Sequence, residues 1–124
     1  MPKVSKESAT LEDHGPVQEW HEDVDGYTIQ FVSFSADIDG TPLLKGLPGD
    51  HCSCPHWGYV LKGRATFRFP DHDEVFEPGD AFYLPPGHIP LADAGSEYVM
   101  FSPAEELART AEAMMRNMKA MQEA

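Results

Sequence analysis

At 124 residues the chain fits one domain with its own core, and 41% hydrophobic and 24% charged residues are ordinary for a globular protein. A net charge of −12 leaves no basic stripe to neutralise phosphates, which excludes a nucleic-acid-binding surface. No apolar run approaches the ~18 residues of a membrane-spanning helix, and the polar start MPKVSKESATLEDHGPVQEW lacks the apolar centre of a secretory signal, so a cytoplasmic setting away from membranes is expected.

Residues 1–25 mix Lys, Ser, Glu and Asp without a usable period and read as a loosely held N-terminal arm. Within it, His14 and His21 are expected to be solvated, and Trp20 to pin the arm to the body. YTIQFVSFS, residues 27–35, has the aromatic and β-branched content of a strand. DIDGTPLLKGLPGD follows, and its glycines and prolines force more than one turn.

WGYVLKG and RATFRF come next, the second alternating Ala65, Phe67 and Phe69 against Arg64, Thr66 and Arg68. Period two with one apolar face means a half-buried strand. Trp57 and Tyr59 share the face opposite His56 and are expected to pack between sheets; Tyr83 is likewise expected in the core. PDHD is a turn with a solvated His72, EVFE a short strand, AFYLP another, PPGHIP its cap, and EYVMF the last strand. Short strands punctuated by Gly and Pro indicate a sandwich or small barrel.

The end of the chain changes character. In SPAEELARTAEAMMRNMKAMQEA, Ser102 reads as an N-cap, Pro103 as the first helical residue and Glu105 as the capping-box partner. Leu107, Ala111, Met114, Met115, Met118 and Met121 form an apolar stripe that must be covered by the barrel or by a second copy. The expected organisation is thus an arm over 1–25, a barrel over 26–102 and a helix over 103–124.

DHCSCPHWGYVLKG, residues 50–63, carries the chemistry. A disulfide between Cys52 and Cys54 would close a very small strained loop, so free thiols or thiolate ligands are the better readings. Cys52, Cys54 and His56 share strand parity, yet residues 52 and 56 of a straight strand stand about 13 Å apart, too far for one ion. Pro55 supplies a reason for a bend that brings them together. Thiolate and imidazole form a soft donor set that suits zinc first, with iron, nickel and copper as alternatives. Against this stands the plainer reading of two buried thiols and a hydrogen-bonded histidine.

WGYVLKGRATF followed by EPGDAFYLPPGHIP resembles the two signature segments of the cupin superfamily, over about residues 28–102, with V-L-x-G at Val60–Gly63 and P-G-D at Pro78–Asp80 the most specific parts. The resemblance implies an all-β, cupin-type jelly-roll barrel with, here, a C-terminal α-helix. It also implies a divalent metal held by an H-x-H pair, a Glu or His, and a histidine of the second segment. In this chain His56 falls at the Glu/His position, Asp50 at the first histidine of the pair and Cys52 at the second; a gap longer by one residue puts His51 in that second position instead. Pro90 occupies the position of the last histidine, with His88 two residues earlier at the same parity.

The resulting candidate metal ligands are Cys52, Cys54, His56 and His88. The expected function is a metal-binding cupin that binds or transforms a small organic molecule in the barrel mouth. The alternatives are a non-enzymatic cupin with a structural or sensing zinc, or a metal-free ligand binder. Cupins frequently pair, so a homodimer is expected.

Overall fold

Ten strands and one long helix are present among residues 3–123, which the computed structural model describes. In chain order the strands are β1 (Thr10–Asp13), β2 (Val17–Val24), β3 (Tyr27–Phe34), β4 (Ile38–Asp39), β5 (His56–Lys62), β6 (Ala65–Arg68), β7 (Asp73–Phe76), β8 (Ala81–Leu84), β9 (Ile89–Ala92) and β10 (Glu97–Pro103). The helix α1 spans Ala104–Glu123, and two 3-10 turns, Thr41–Leu44 and Pro48–Asp50, lie between β4 and β5. All pairings are antiparallel, in a six-stranded sheet ordered β1-β2-β3-β10-β5-β8 and a four-stranded sheet ordered β4-β9-β6-β7.

The two sheets close over a core of alternate residues: Val32 and Phe34 from β3, Val60 from β5, Ala65 and Phe67 from β6, Phe82 and Leu84 from β8, and Tyr98 and Met100 from β10. Period-two burial is what the RATFRF alternation foretells, with Ala65 and Phe67 buried and Arg68 exposed. Gly58 is required where β5 crosses this core, because a Cβ there would strike the Phe82 ring and the Val99 carbonyl.

Several expectations need correction. Residues 10–24 are not a loose arm: they form the β1–β2 hairpin, whose second strand pairs with β3 along its whole length, from Val17↔Phe34 to Val24↔Tyr27. Lys6 fastens the residues before it, with its Nζ 2.8 Å from Glu97 Oε1 and 4.4 Å from the Trp20 ring centroid. The period was hidden because β2 faces inward with polar residues, Glu19, His21 and Asp23, instead of apolar ones. The IPLA stretch is strand β9, bonded to β6 and β4, whereas the sequence pattern predicts a cap at Pro90.

Trp57, Tyr59 and Tyr83 are 44%, 44% and 50% exposed on the outer face of the larger sheet, not packed between sheets. α1 divides its methionines: Leu107 and Met114 pack against Leu44, Cys52 and Cys54, whereas Met115 and Met121 are exposed. Asn117 ties the helix to the first 3-10 turn by donating from Nδ2 to the carbonyls of Leu43 (2.7 Å) and Lys45 (2.8 Å).

Candidate functional site

An isolated antiparallel bridge brings the two signature segments together. The Cys52 amide donates to the His88 carbonyl and the Gly87 amide donates to the Cys52 carbonyl, each at 2.8 Å. Gly87 has φ +107, a conformation side chains rarely adopt, which turns the chain after β8 so that His88 faces inward. His56 enters from the first residue of β5, paired with Leu84.

The consequence is a buried cluster in which one donor atom each from Cys52, His56 and His88 lies within 4.8 Å of the others. Cys52 Sγ is 3.5 Å from His56 Nε2, and the two imidazoles meet edge to face with centroids 5.0 Å apart. All three side chains are at most 4% exposed.

Each imidazole is oriented by its other nitrogen. His88 Nδ1 donates to the Pro85 carbonyl at 2.9 Å, which leaves Nε2 unprotonated in the neutral ring. His56 Nδ1 lies 2.6 Å from Ser102 Oγ; when this nitrogen donates, Nε2 presents its lone pair toward Cys52. Ser102 is therefore not a helix cap. Its side chain is fully buried at the end of β10 and its hydroxyl holds His56. No sequence signal distinguishes that role from capping, since a serine before Pro-Ala-Glu fits both.

Burial sets the protonation states. It pushes His56 down to about 3, with the neighbouring His88 adding to the effect, and lowers His88 as well, so both rings are neutral at pH 7. Burial also raises the Cys52 thiol, partly offset by the Cys54 carbonyl and the Thr110 hydroxyl, 3.8 and 3.7 Å from Sγ. In the metal-free protein the cluster is thus a neutral thiol and two neutral imidazoles. A metal binding there must displace the thiol proton.

The other sequence candidates stand apart. Cys54 is buried beside Leu44, but its thiol turns to the Pro55 carbonyl at 3.4 Å, and desolvation lifts it to about 12. Asp50 caps the preceding loop by accepting from the Gly46 amide at 2.9 Å. His51 is half-buried near Gly49 and Gly87, outside the cluster. His72 is exposed and bonded to Asp71 at 2.7 Å.

The cluster lies on the wall of a cavity of about 300 Å³ between the sheets, which α1 closes on one side with Leu107, Ala111 and Met114. Val32, Phe34, Leu44 and Met100 make much of the wall apolar. Glu19, His21, Asp23, Thr28 and Gln30 of β2 and β3 make another part polar. At this edge His14 and His21 are not freely solvated: His21 Nε2 is 2.8 Å from Glu12, and His14 Nε2 lies 3.4 Å from Glu12 and 3.7 Å from Glu19. The donors of Glu12, His14 and Glu19 also lie within 4.8 Å of one another, in a partly exposed group.

No protein-family model matches the sequence, and no curated protein matches it. Solved structures do match in fold. An RmlC-like cupin from Shewanella frigidimarina has a TM-score of 0.59 at 17% identity, over 83% of this chain and 92% of that one. KdgF from a Halomonas species has a TM-score of 0.59 at 21% identity, over 83% and 94% of the two chains. The polyketide cyclase RemF from Streptomyces resistomycificus reaches 0.60 at 16% identity, over 83% and 79%. These likenesses establish the cupin-type jelly-roll fold.

Proposed function

We propose that this chain, a cupin-type jelly roll, is a metal-binding protein in which Cys52, His56 and His88 hold a divalent transition metal on the wall of a small-molecule cavity. The observation that carries the reading is the pair of second-nitrogen contacts, His88 to Pro85 and His56 to Ser102, which prepare both Nε2 atoms as ligands beside a thiol. One thiolate with two imidazoles suits zinc best; iron, nickel and copper fit less well.

Cys54 was among the four expected ligands, and its place outside the cluster changes the chemistry. Four protein ligands would close the ion into a structural or sensing site, whereas three leave a position for a ligand atom. When bound, such an ion supplies Lewis-acid polarisation of a ligand oxygen or activation of a bound water. The chain's own residues do the rest. Val32, Phe34 and Met100 desolvate the ligand, α1 restricts water entry, and Thr110 steadies Cys52.

We place the protein in a reducing compartment, the cytoplasm, because both cysteines are buried free thiols; no helix of the described residues is long and apolar enough to cross a membrane. The expected homodimer is carried better by the outer face of the larger sheet than by the methionine stripe. Trp57, Tyr59, Leu61, Tyr83 and Phe101 are exposed there, all uncharged in a chain of net charge −12.

Elemental analysis of protein purified without added metal or a histidine tag tests the reading. About one transition-metal ion per chain is expected in the wild type and in Cys54→Ser, with loss of metal in Cys52→Ser and His88→Ala. A wild-type preparation that carries no metal and binds no added zinc, iron, nickel or copper overturns it.

A further inference from the structure

We infer that the wall of the cavity built by β2 and β3 recognises a hydrogen-bond-donating group, best a primary ammonium and next a hydroxyl, so that the small molecule is an amine or alcohol and not a carboxylate or phosphate ester. The inference rests on the proposal that the cavity takes a small molecule, and it names that molecule's class.

Three observations meet at this wall. The first is an acceptor without a donor. Gln30 is 6% exposed and stands on the cavity-facing side of β3, between Thr28 and Val32; its Nε2 donates to Glu19 Oε1 at 3.1 Å, while among the described residues its Oε1 finds no hydrogen-bond donor. Burial raises the Glu19 carboxyl, opposed by the charge of His14 beside it. As a carboxylate it can only accept, which fixes the amide this way round and leaves the carbonyl oxygen without a partner. A buried acceptor of this kind calls for a donor.

The second observation is charge. Glu12, Glu19 and Asp23 all line the cavity, and neither lysine nor arginine does. His21 is drawn to Glu12, and Thr28 Oγ1 already donates to Asp23 Oδ1 at 2.6 Å, so the chain supplies few donors of its own to a ligand. A carboxylate or phosphate would meet acids without a fixed counter-charge, whereas an ammonium would be attracted both locally and by the net charge of −12.

The third is the division of the cavity. The Cys52–His56–His88 cluster, the polar residues of β2 and β3, and apolar side chains such as Val32, Phe34 and Met100 all line the same cavity. A volume of about 300 Å³ corresponds to on the order of ten waters. That suits a compact molecule with a Lewis-basic atom for the cluster, an apolar middle and a donor for Gln30 and Glu19.

The experiment uses three probes of one shape: 4-methylbenzylamine, 4-methylbenzyl alcohol and 4-methylbenzoate. Each is titrated into the zinc-free full-length protein, following the side-chain amide signals of Gln30 in nitrogen–proton correlation spectra; the signals are assigned by their loss in Gln30→Met. The amine is expected to bind at least tenfold more tightly than the benzoate, with the alcohol between them. Glu19→Gln should shrink the amine's advantage at least fivefold, and Gln30→Met should weaken both amine and alcohol.

Equal or tighter benzoate binding refutes the donor-recognition inference and leaves the small-molecule reading standing. Failure of all three probes to bind at millimolar concentration refutes both. Metal content, measured separately, reports on the metal cluster independently of either result.

Discussion

Ser102 shows what a single residue contributes here. Its hydroxyl is the partner of His56 Nδ1, in a position with no exposure, so its loss frees the ring to change tautomer or rotate. If the cluster holds zinc as proposed, Ser102→Ala is expected to weaken its affinity by about ten- to a hundredfold while the fold remains, as loss of a ligand-orienting partner does in metal sites. Competition against a chelator of known affinity, beside circular dichroism, checks this.

The pH dependence of the metal-free protein follows from the same burial. His56 is held near 3 in the folded chain against an ordinary value of 6.5, and His88 shifts the same way. The stability these rings contribute is full above pH 6.5 and is lost progressively as pH falls toward 3, because the unfolded chain takes up protons first. Cys54 acts on the other side: raised from 9.0 to about 12, its contribution is full below pH 9 and is lost as pH rises toward 12. Urea midpoints in the presence of chelator should therefore form a plateau between about pH 6.5 and 9, falling on both sides. A midpoint that holds constant down to pH 4 would contradict the neutral-imidazole assignment.

At this scale the sequence was partly legible. Parity joined Cys52 to His56, and the resemblance placed His88 near the second-segment ligand. Parity also included Cys54, because it cannot say that the chain lies outside the strand before residue 56 and turns that thiol to its neighbour's carbonyl.

Among elements, the β1–β2 hairpin most changes the picture. β2 supplies the outer partner of β3 and the polar cavity residues Glu19, His21 and Asp23. Removing residues 1–25 should expose the β3 edge with Thr28, Gln30 and Val32, and such an edge pairs with other chains. The truncated protein is expected to aggregate or to lose its cooperative thermal transition, read by size-exclusion chromatography and calorimetry; a monomeric barrel with an unchanged transition would contradict the pairing. β6, with its apolar inner face, announced itself by period two, and β3 by its aromatic and β-branched content. β1, β2 and β9 did not, because two of them put carboxylates toward the cavity edge and the third contains Pro90. Within β6, Phe67 is 2% exposed and touches Phe76, Phe82, Tyr98 and His88. Phe67→Ala should cost roughly 3–5 kcal/mol by chemical denaturation.

For the whole molecule, the outer sheet face is the feature that self-association would use. Register places Tyr83, Trp57 and Phe101 side by side across β8, β5 and β10, with the Trp57 and Tyr83 rings 5.2 Å apart. Two copies of net charge −12 repel over most of their surfaces, and this uncharged aromatic row is where they can meet. Light scattering is expected to give a dimer for the wild type and a monomer for Trp57→Arg with Tyr59→Lys. A wild-type monomer at all concentrations removes the claim. Fold class was readable at this scale because V-L-x-G and P-G-D fix two turns of the barrel; the exposed aromatic row was not, since exposure of an aromatic on a strand depends on whether a second layer covers it.

The measurement that bears most directly on the account is cobalt(II) substitution followed by absorption spectroscopy. A cobalt ion bound by a thiolate shows a sulfur-to-metal charge-transfer band that histidine and water ligands do not produce. One equivalent of cobalt should give this band in the wild type and in Cys54→Ser, and should fail to give it in Cys52→Ser, with affinity sharply reduced in His56→Ala and His88→Ala. A band that survives in Cys52→Ser, or vanishes in Cys54→Ser, would contradict a centre built from Cys52, His56 and His88.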